Sequence, residues 1–331
     1  MTSTVDPWLL ELIVVRGAHD GTARSALSRD AARGLLLRLR QGVYVERAAF
    51  LALGPEGQHL VRMRALAAVM DRPVVFSHQS AAVVHGIPVL RRRLDRLVTT
   101  VSERRERGQD GVSARLAPIS PLEVMEHRGL LLTVPARTVV DLASALPFEE
   151  GVMAADSLLS RGMDRARLLS AMETAGARRA RARIEQVIRF AHPGAESAAE
   201  SLSRCGLLRL GIEPPLLQYR LLLPDGREVF LDMLFPTTRV GGEVDGAVKL
   251  LDPIIAPDAR AALQRERRRE DAVRLQVEGL ARWGWLEAVD PPRLAVVLRA
   301  VGVLPSRPPF VLEDFAAAAA IARPRRATRQ R

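Results

Sequence analysis

Three apolar, strand-length segments follow one another in the last third of the chain, and this succession constrains the fold more than any other feature. Leu216–Leu223 leads through Pro224-Asp225-Gly226, a strong turn signal, into Glu228–Phe235. Pro236–Arg239 then leads into Val240–Asp245. Strands joined by turns this short pair as antiparallel neighbours. We therefore predict that the three segments form one sheet.

The second turn places acidic residues opposite each other. If Thr237-Thr238 is a two-residue loop, Asp232 faces Glu243, and Asp245 lies two residues further along the same face. Two like charges about 4 Å apart repel by about 4 kcal/mol at an effective dielectric near 20. A divalent cation removes this repulsion, and magnesium prefers carboxylate oxygens. The alternative is a different register in which Asp232 and Glu243 pair with nearby arginines.

Two further acids and one lysine flank these strands. We place Glu196 and Glu200 on a helix, one turn apart, where like charges need a partner. Lys249 is the only lysine in the chain and follows the acids closely. It could activate a water molecule or stabilise negative charge that develops on a phosphate.

Composition indicates an ordinary globular protein. Hydrophobic residues make up 48% and charged residues 26%, which argues against a disordered or fibrous chain. No apolar run is long enough to span a membrane, and one cysteine, Cys205, excludes a disulfide framework. We expect a cytoplasmic protein without a membrane partner. The net charge of +11 favours a polyanionic partner, nucleic acid first.

The N-terminal region predicts three short helices followed by a strand. We expect a helix over Trp8–Val15, a second short helix at Thr22, and a third from Ser28 through Arg40, before a turn into the strand at Val43. This order is typical of a winged helix-turn-helix. The alternative is a helical cap with a solvated basic face. The DNA-binding candidates are arginines of this region and of the basic segment after residue 175: Arg33, Arg38, Arg40, Arg178, Arg179, Arg181 and Arg183.

The last third resembles a domain family of unknown function related to the very-short-patch-repair endonuclease, within the PD-(D/E)XK superfamily. The likeness covers roughly residues 196–285. It rests on acids, a glutamine and arginines in a fixed order on helix and strands: Ala199-Glu200, Gln218, Phe230-Leu231-Asp232, Glu243-Val244-Asp245-Gly246, Glu266–Val273 and Arg282. The Glu-x-Lys of the superfamily reads Glu243-Val244-Asp245 here, and Lys249 occupies a position where the family often has histidine.

This resemblance implies a magnesium-dependent (or manganese-dependent) endonuclease acting on DNA. Asp232 and Glu243 would bind the metal, with the Val244 carbonyl as a further ligand. The implied catalytic set is Glu200, Asp232, Glu243, Asp245 and Lys249, and the implied supporting set is Glu196, Gln218, Glu266 and Arg269.

The first half resembles AbiEi-type antitoxins and their winged-helix domain. The matching pieces are Arg40–Tyr44, Ser80-Ala81-Ala82 with His85-Gly86, Thr133–Thr138 and Asp141-Leu142-Ala143. In that family the N-terminal domain binds promoter DNA, so the resemblance implies DNA binding and admits a toxin protein as partner.

Together these observations predict an α/β (α+β) protein with a central mixed sheet flanked by helices in its nuclease-like part. We expect five segments: a winged-helix-like domain over 1–50, an α/β antitoxin-like middle domain over 51–175, a basic helical linker over 176–193, a nuclease-like domain over 194–305, and an Ala-rich stretch with a basic tail over 306–331. The leading hypothesis is a DNA-binding protein with a metal-dependent endonuclease domain. The alternative is a non-catalytic DNA-binding regulator or antitoxin that keeps a degenerate nuclease fold.

Overall fold

The computed structural model describes residues 6–15, 21–103, 110–176, 178–223, 226–245 and 272–321. The strands in chain order are β1 Ile13–Val14, β2 Leu36–Arg40, β3 Val43–Glu46, β4 Val75–Phe76, β5 Leu97–Val101, β6 Val112–Leu116, β7 Val124–His127, β8 Leu130–Thr133, β9 Leu216–Leu222, β10 Glu228–Phe235, β11 Val240–Val244 and β12 Gly279–Trp283. The α-helices are α1 Gly21–Ala32, α2 Arg47–Ala52, α3 Pro55–Val69, α4 His78–Val84, α5 Pro135–Ala145, α6 Phe148–Ser160, α7 Arg165–Thr174, α8 Arg181–Phe190, α9 Ala198–Leu210, α10 Trp285–Ala288, α11 Pro291–Ala300 and α12 Leu312–Ile321.

The chain divides into two compact units, and the fold of each is α/β, as the sequence predicts. Unit 1 comprises Met1–Ala145 with Arg167–Arg181, and unit 2 comprises Leu146–Ala166 with Ala182–Arg331. These boundaries differ from the five expected segments, because the three-stranded N-terminal sheet and the middle sheet belong to one unit. Within the described residues, none of the helices has the length and apolar character that a membrane span requires.

Unit 1 contains two sheets. The smaller has the order β1-β3-β2 and is antiparallel throughout. The larger has the order β6-β5-β4-β8-β7 and mixes parallel with antiparallel pairs. Its core is built from apolar side chains of α3, α4 and the strands: Leu60, Met63, Leu66, Phe76, Ala81, Leu97, Leu130 and Leu132.

The N-terminal prediction is partly wrong. Ile13–Val14 is a strand rather than part of a helix, and the predicted third helix stops at Ala32. Gly34 adopts a left-handed φ of 77°, and the segment Leu36–Arg40 that follows pairs with β3 as a strand. The leucines there fit a two-residue period as well as a helical one, so periodicity alone misassigned them. What remains of the winged-helix pattern is α1 followed by the β2–β3 hairpin.

Unit 2 is organised by a four-stranded mixed sheet with the order β12-β11-β10-β9. The first three strands in the chain form the predicted antiparallel meander, and β12 pairs in parallel with β11. Helix α9 begins after Ser197, whose hydroxyl accepts from the Glu200 backbone N–H, and ends at Gly211 in a left-handed conformation. The indole N–H of Trp283 on β12 donates to Ser203 of this helix at 2.8 Å, which ties α9 to the sheet.

The basic segment after residue 175 is more than a linker. Helix α8 buries four apolar side chains, Ile184, Val187, Ile188 and Phe190. Its arginines lie on the opposite, exposed positions, so the segment is an amphipathic helix packed into unit 2.

Candidate functional site

The β10–β11 hairpin ends one residue short of the two predicted metal ligands, Asp232 and Glu243. Met233 pairs with Gly242, Leu234 with Gly241 and Phe235 with Val240. This is the register predicted from the Thr237-Thr238 turn, and it is confirmed. Continued by one residue, it sets Asp232 opposite Glu243 at the point where the ladder ends.

Beyond the last backbone pair, Met233 with Gly242, the Asp232 side chain bonds to the facing strand. Its Oδ2 accepts a hydrogen bond from the Val244 backbone N–H at 2.8 Å. On its other side, the pairing of β10 with β9 is interrupted at Gln218, which has a left-handed φ of 49°. The half-buried Asp232 therefore sits at an irregularity of the sheet rather than in the regular alternation assumed from sequence.

Glu200 approaches this point from the first turn of α9. Its side chain is buried, and its Oε2 accepts from the Glu196 backbone N–H at 3.0 Å and from Gln218 Nε2 at 3.4 Å. Burial raises the pKa of Glu200 to about 7, and the charge on Asp232 raises it as well. Glu200 therefore holds a proton readily near neutral pH and senses the charge on Asp232.

Glu196 does not lie on the same helix as Glu200. It precedes the capping residue Ser197 and is exposed, so the predicted stacking of two carboxylates along one helix is wrong. Its contribution is a backbone N–H, which the Glu200 carboxyl accepts.

Glu243 is buried and paired with a cation. Its Oε2 accepts from Nε and Nη2 of Arg282 at 2.9 and 2.5 Å. Glu243 and Arg282 are register partners on the parallel strands β11 and β12, so the backbone itself places them side by side. Glu243 thus has the arginine partner of the alternative hypothesis, but in the predicted register rather than in a different one.

The remaining predicted site residues contribute less to this arrangement. Asp245 is exposed just beyond β11, with its backbone N–H bonded to the Trp283 carbonyl at 2.9 Å. Lys249, Glu266 and Arg269 lie outside the described residues. Among the residues that the structure describes, no three Asp, Glu, His or Cys side chains are grouped to hold one metal ion. The expected trio of Asp232, Glu243 and Asp245 is therefore not found.

A smaller donor set still suits magnesium. Asp232, Glu243 and the Val244 carbonyl supply oxygen atoms, and magnesium commonly takes one or two carboxylates and completes its shell with water and substrate phosphate. Both bonds from Arg282 end on a single oxygen of Glu243. In its donor chemistry the site fits a two-carboxylate magnesium centre, with Arg282 as the cation that a metal would have to displace or share.

The predicted DNA-binding arginines of unit 1 differ in their surroundings. Arg33 is exposed and lies 3.7 Å from Asp30. Arg38 is exposed on β2, whereas Arg40 is half-buried and donates to the Asp110 carbonyl at 3.4 Å. Arg38 is thus the more exposed of the two strand arginines, and its Nε donates to the Arg40 carbonyl at 3.3 Å.

The second arginine group lies around the start of α8. Arg178 and Arg179 are in a 3₁₀ turn, with Arg179 exposed. Arg181 pairs with Glu173 at 2.5 Å, and Arg183 donates to the Leu146 carbonyl at 3.0 Å. An exposed ion pair such as Arg181 with Glu173 contributes little to stability.

Sequence reasoning missed two contacts around the hairpin. The ion pair of Arg282 with Glu243 depends on β12 pairing in parallel with β11, and no local pattern signals this crossover. The buried Glu213 accepts from the Thr237 N–H at 3.1 Å and from the Thr237 hydroxyl at 2.6 Å, and so fixes the turn that sets the register.

Comparison of the chain with models of known protein families gives no match, and no curated protein matches it either.

Proposed function

We propose that unit 2 hydrolyses phosphodiester bonds of DNA with a magnesium or manganese ion held by Asp232 and Glu243. One observation carries the proposal: the register of the β10–β11 hairpin, continued by one residue beyond the Met233–Gly242 pair, sets Asp232 opposite Glu243. The positive charge of the chain supports DNA as the substrate. The protein would act in the cytoplasm.

The residues of the site would have different roles in the reaction. Asp232, Glu243 and the Val244 carbonyl would hold the ion, and the Val244 N–H orients Asp232 by fixing its Oδ2. When bound, the ion polarises the phosphodiester and lowers the pKa of a bound water molecule. Glu200 is near enough to Asp232 for that charge to act on it, and its raised pKa suits it to hold or release a proton near neutral pH. Gln218 supports Glu200 from β9.

The test is DNA cleavage by wild type and by Asp232→Asn, with supercoiled plasmid, linear duplex and single-stranded DNA as substrates. Glu228→Gln is the matched control, because Glu228 is an acid on the same strand that is exposed and pairs with Arg220 at 3.2 Å. We expect magnesium-dependent, EDTA-sensitive cleavage by wild type and Glu228→Gln. Asp232→Asn should lose at least about 100-fold in rate, the scale of a lost electrostatic contribution to catalysis.

Two outcomes would overturn the proposal. Equal cleavage by wild type and Asp232→Asn would remove Asp232 from the reaction. Absence of cleavage of all three DNA forms by the folded wild-type protein, in magnesium and in manganese, would remove the activity.

The second candidate is a non-catalytic DNA-binding regulator or antitoxin. One observation favours it: the Glu243 carboxylate is already neutralised by Arg282, as in a structural ion pair. Its DNA contacts would come from α1, the β2–β3 hairpin and exposed Arg38, and its further partner would be a toxin protein. DNA binding without heat of magnesium binding in calorimetry would support this candidate over the first.

A further inference from the structure

The contact between Arg282 and Glu243 has an unusual form for an arginine–carboxylate pair. Nε and Nη2 of Arg282 both donate to the same oxygen, Glu243 Oε2. The pairing differs from the fork-on-fork arrangement, in which each nitrogen takes its own oxygen and the contact is strongest. Both of these hydrogen bonds therefore end at one oxygen of the carboxylate.

The two partners differ in their access to solvent. The Arg282 side chain is 31% exposed, whereas the Glu243 side chain is 9% exposed. The carboxylate thus lies inside and the guanidinium lies toward the solvent, the side from which a metal ion or a DNA strand would arrive. Because β11 and β12 are paired strands at this position, their backbones hold Glu243 and Arg282 side by side. An arginine side chain has many rotamers, so a guanidinium can be redirected without a change in the strand that carries it.

A divalent cation on Glu243 and the Arg282 guanidinium repel each other, because both carry positive charge. An arginine moved off a carboxylate has a natural second ligand in a phosphate, whose oxygens its planar fork matches. The substrate of the proposed reaction brings such a phosphate next to the ion.

We propose that Arg282 is a positioning residue that holds Glu243 in the metal-free protein and transfers to the DNA phosphate when the ion binds. The inference rests on the proposed function, since it takes Glu243 as a metal ligand. Arg282 would thus weaken the binding of the metal ion and strengthen the binding of DNA.

The test measures binding rather than turnover. Manganese affinity is measured by calorimetry, and affinity for a short DNA duplex is measured in calcium by fluorescence anisotropy. The variants are Arg282→Gln and Arg282→Lys. The matched control is Arg220→Gln, which removes an arginine of the same sheet that pairs with Glu228 instead.

We expect Arg282→Gln to bind manganese about tenfold more tightly and the duplex about tenfold more weakly, each change corresponding to about 1.4 kcal/mol. Arg282→Lys keeps the charge but loses the fork, so its manganese affinity should stay near wild type while its duplex affinity falls several-fold. Arg220→Gln should match wild type in both measurements. If Arg282→Gln fails to fold, as judged by circular dichroism, the Arg282→Lys result decides.

The opposite results separate two failures. Suppose that wild type binds manganese and that folded Arg282→Gln binds it equally well or more weakly. This result would overturn the role of Arg282 and leave the proposed function standing. Duplex affinity equal in wild type and Arg282→Lys would overturn it as well. If neither wild type nor any variant binds manganese, the proposed metal site and the inference fall together.

Discussion

At the scale of single residues, buried polar groups in unit 2 are held by specific partners. Asp156 and Arg204 are both almost fully buried and pair at 2.9 Å. Asp156 also accepts from the His192 backbone N–H, and Arg204 donates to the Phe190 carbonyl. Each charge therefore has its hydrogen bonds satisfied, as burial of an ion pair requires.

His192 should make the protein sensitive to acid. Burial, together with the charges of Arg204 and Arg165, lowers the pKa of His192 to about 3 from its ordinary value of 6.5. Below pH 6.5 the unfolded chain therefore takes up the proton first, and stability is lost as the pH falls. We expect the loss due to His192 to begin near pH 6.5 and to approach about 1.4 kcal/mol for each pH unit between about pH 5.5 and 4.

The variant His192→Asn tests this dependence, because the amide oxygen can still accept from the Gly194 N–H, as Nδ1 does now at 2.8 Å. Urea unfolding at a series of pH values should show a shallower decline for this variant than for wild type. The exposed His127 gives the control variant, His127→Asn, whose decline should match wild type. Parallel declines for all three proteins would contradict the assignment to His192.

Part of the candidate site was predictable residue by residue, and part was not. Asp232 and Glu243 followed from one hairpin and its turn, because register depends on local spacing. Glu196 was wrongly predicted to lie on the helix. The first residue of a helix depends on which residue caps it, and here Ser197, not Glu196, is the cap. The partner of Glu243 could not be predicted, since Arg282 is brought to it by a parallel pairing between segments distant in sequence.

At the scale of secondary-structure elements, strand β11 packs so closely against its two neighbouring strands at Gly242 that a side chain there would collide with them. A Cβ on Gly242 would lie 2.7 Å from Trp283 Cη2 and 3.3 Å from Met233 Cβ. The indole cannot move away freely, because its N–H is bonded to Ser203 of α9. The sequence shows the adjacent glycines Gly241 and Gly242, but it does not show that the Trp283 indole packs against Gly242.

We therefore expect Gly242→Ala to lower the free energy of unfolding by about 1–3 kcal/mol through overpacking. Gly279→Ala on the adjacent β12 is the matched control, because its nearest neighbour, Val240 Cγ2, would lie at an ordinary 3.5 Å. Chemical denaturation of both variants measures the difference. Equal losses for the two variants would show that the Trp283 contact does not limit this position.

At the scale of the whole molecule, the sequence predicted the α/β class and the meander of unit 2, but not the division of the chain. Apolar periodicity and turn residues are local, whereas a unit boundary depends on which distant segments pack together. The helix over Phe148–Ser160 illustrates this, since it follows the sheet of unit 1 in sequence and belongs to unit 2. The net charge of +11 is likewise a property of the whole chain, and it favours DNA without locating the contact.

A crystal soaked in manganese would show whether Asp232 and Glu243 together hold a divalent cation, as we propose. We expect an anomalous density peak at about 2.1 Å from a carboxylate oxygen of each residue, the distance typical of a small divalent cation on oxygen ligands. A crystal soaked in the same way that shows no peak there, with both Arg282 bonds still on Glu243, would contradict it.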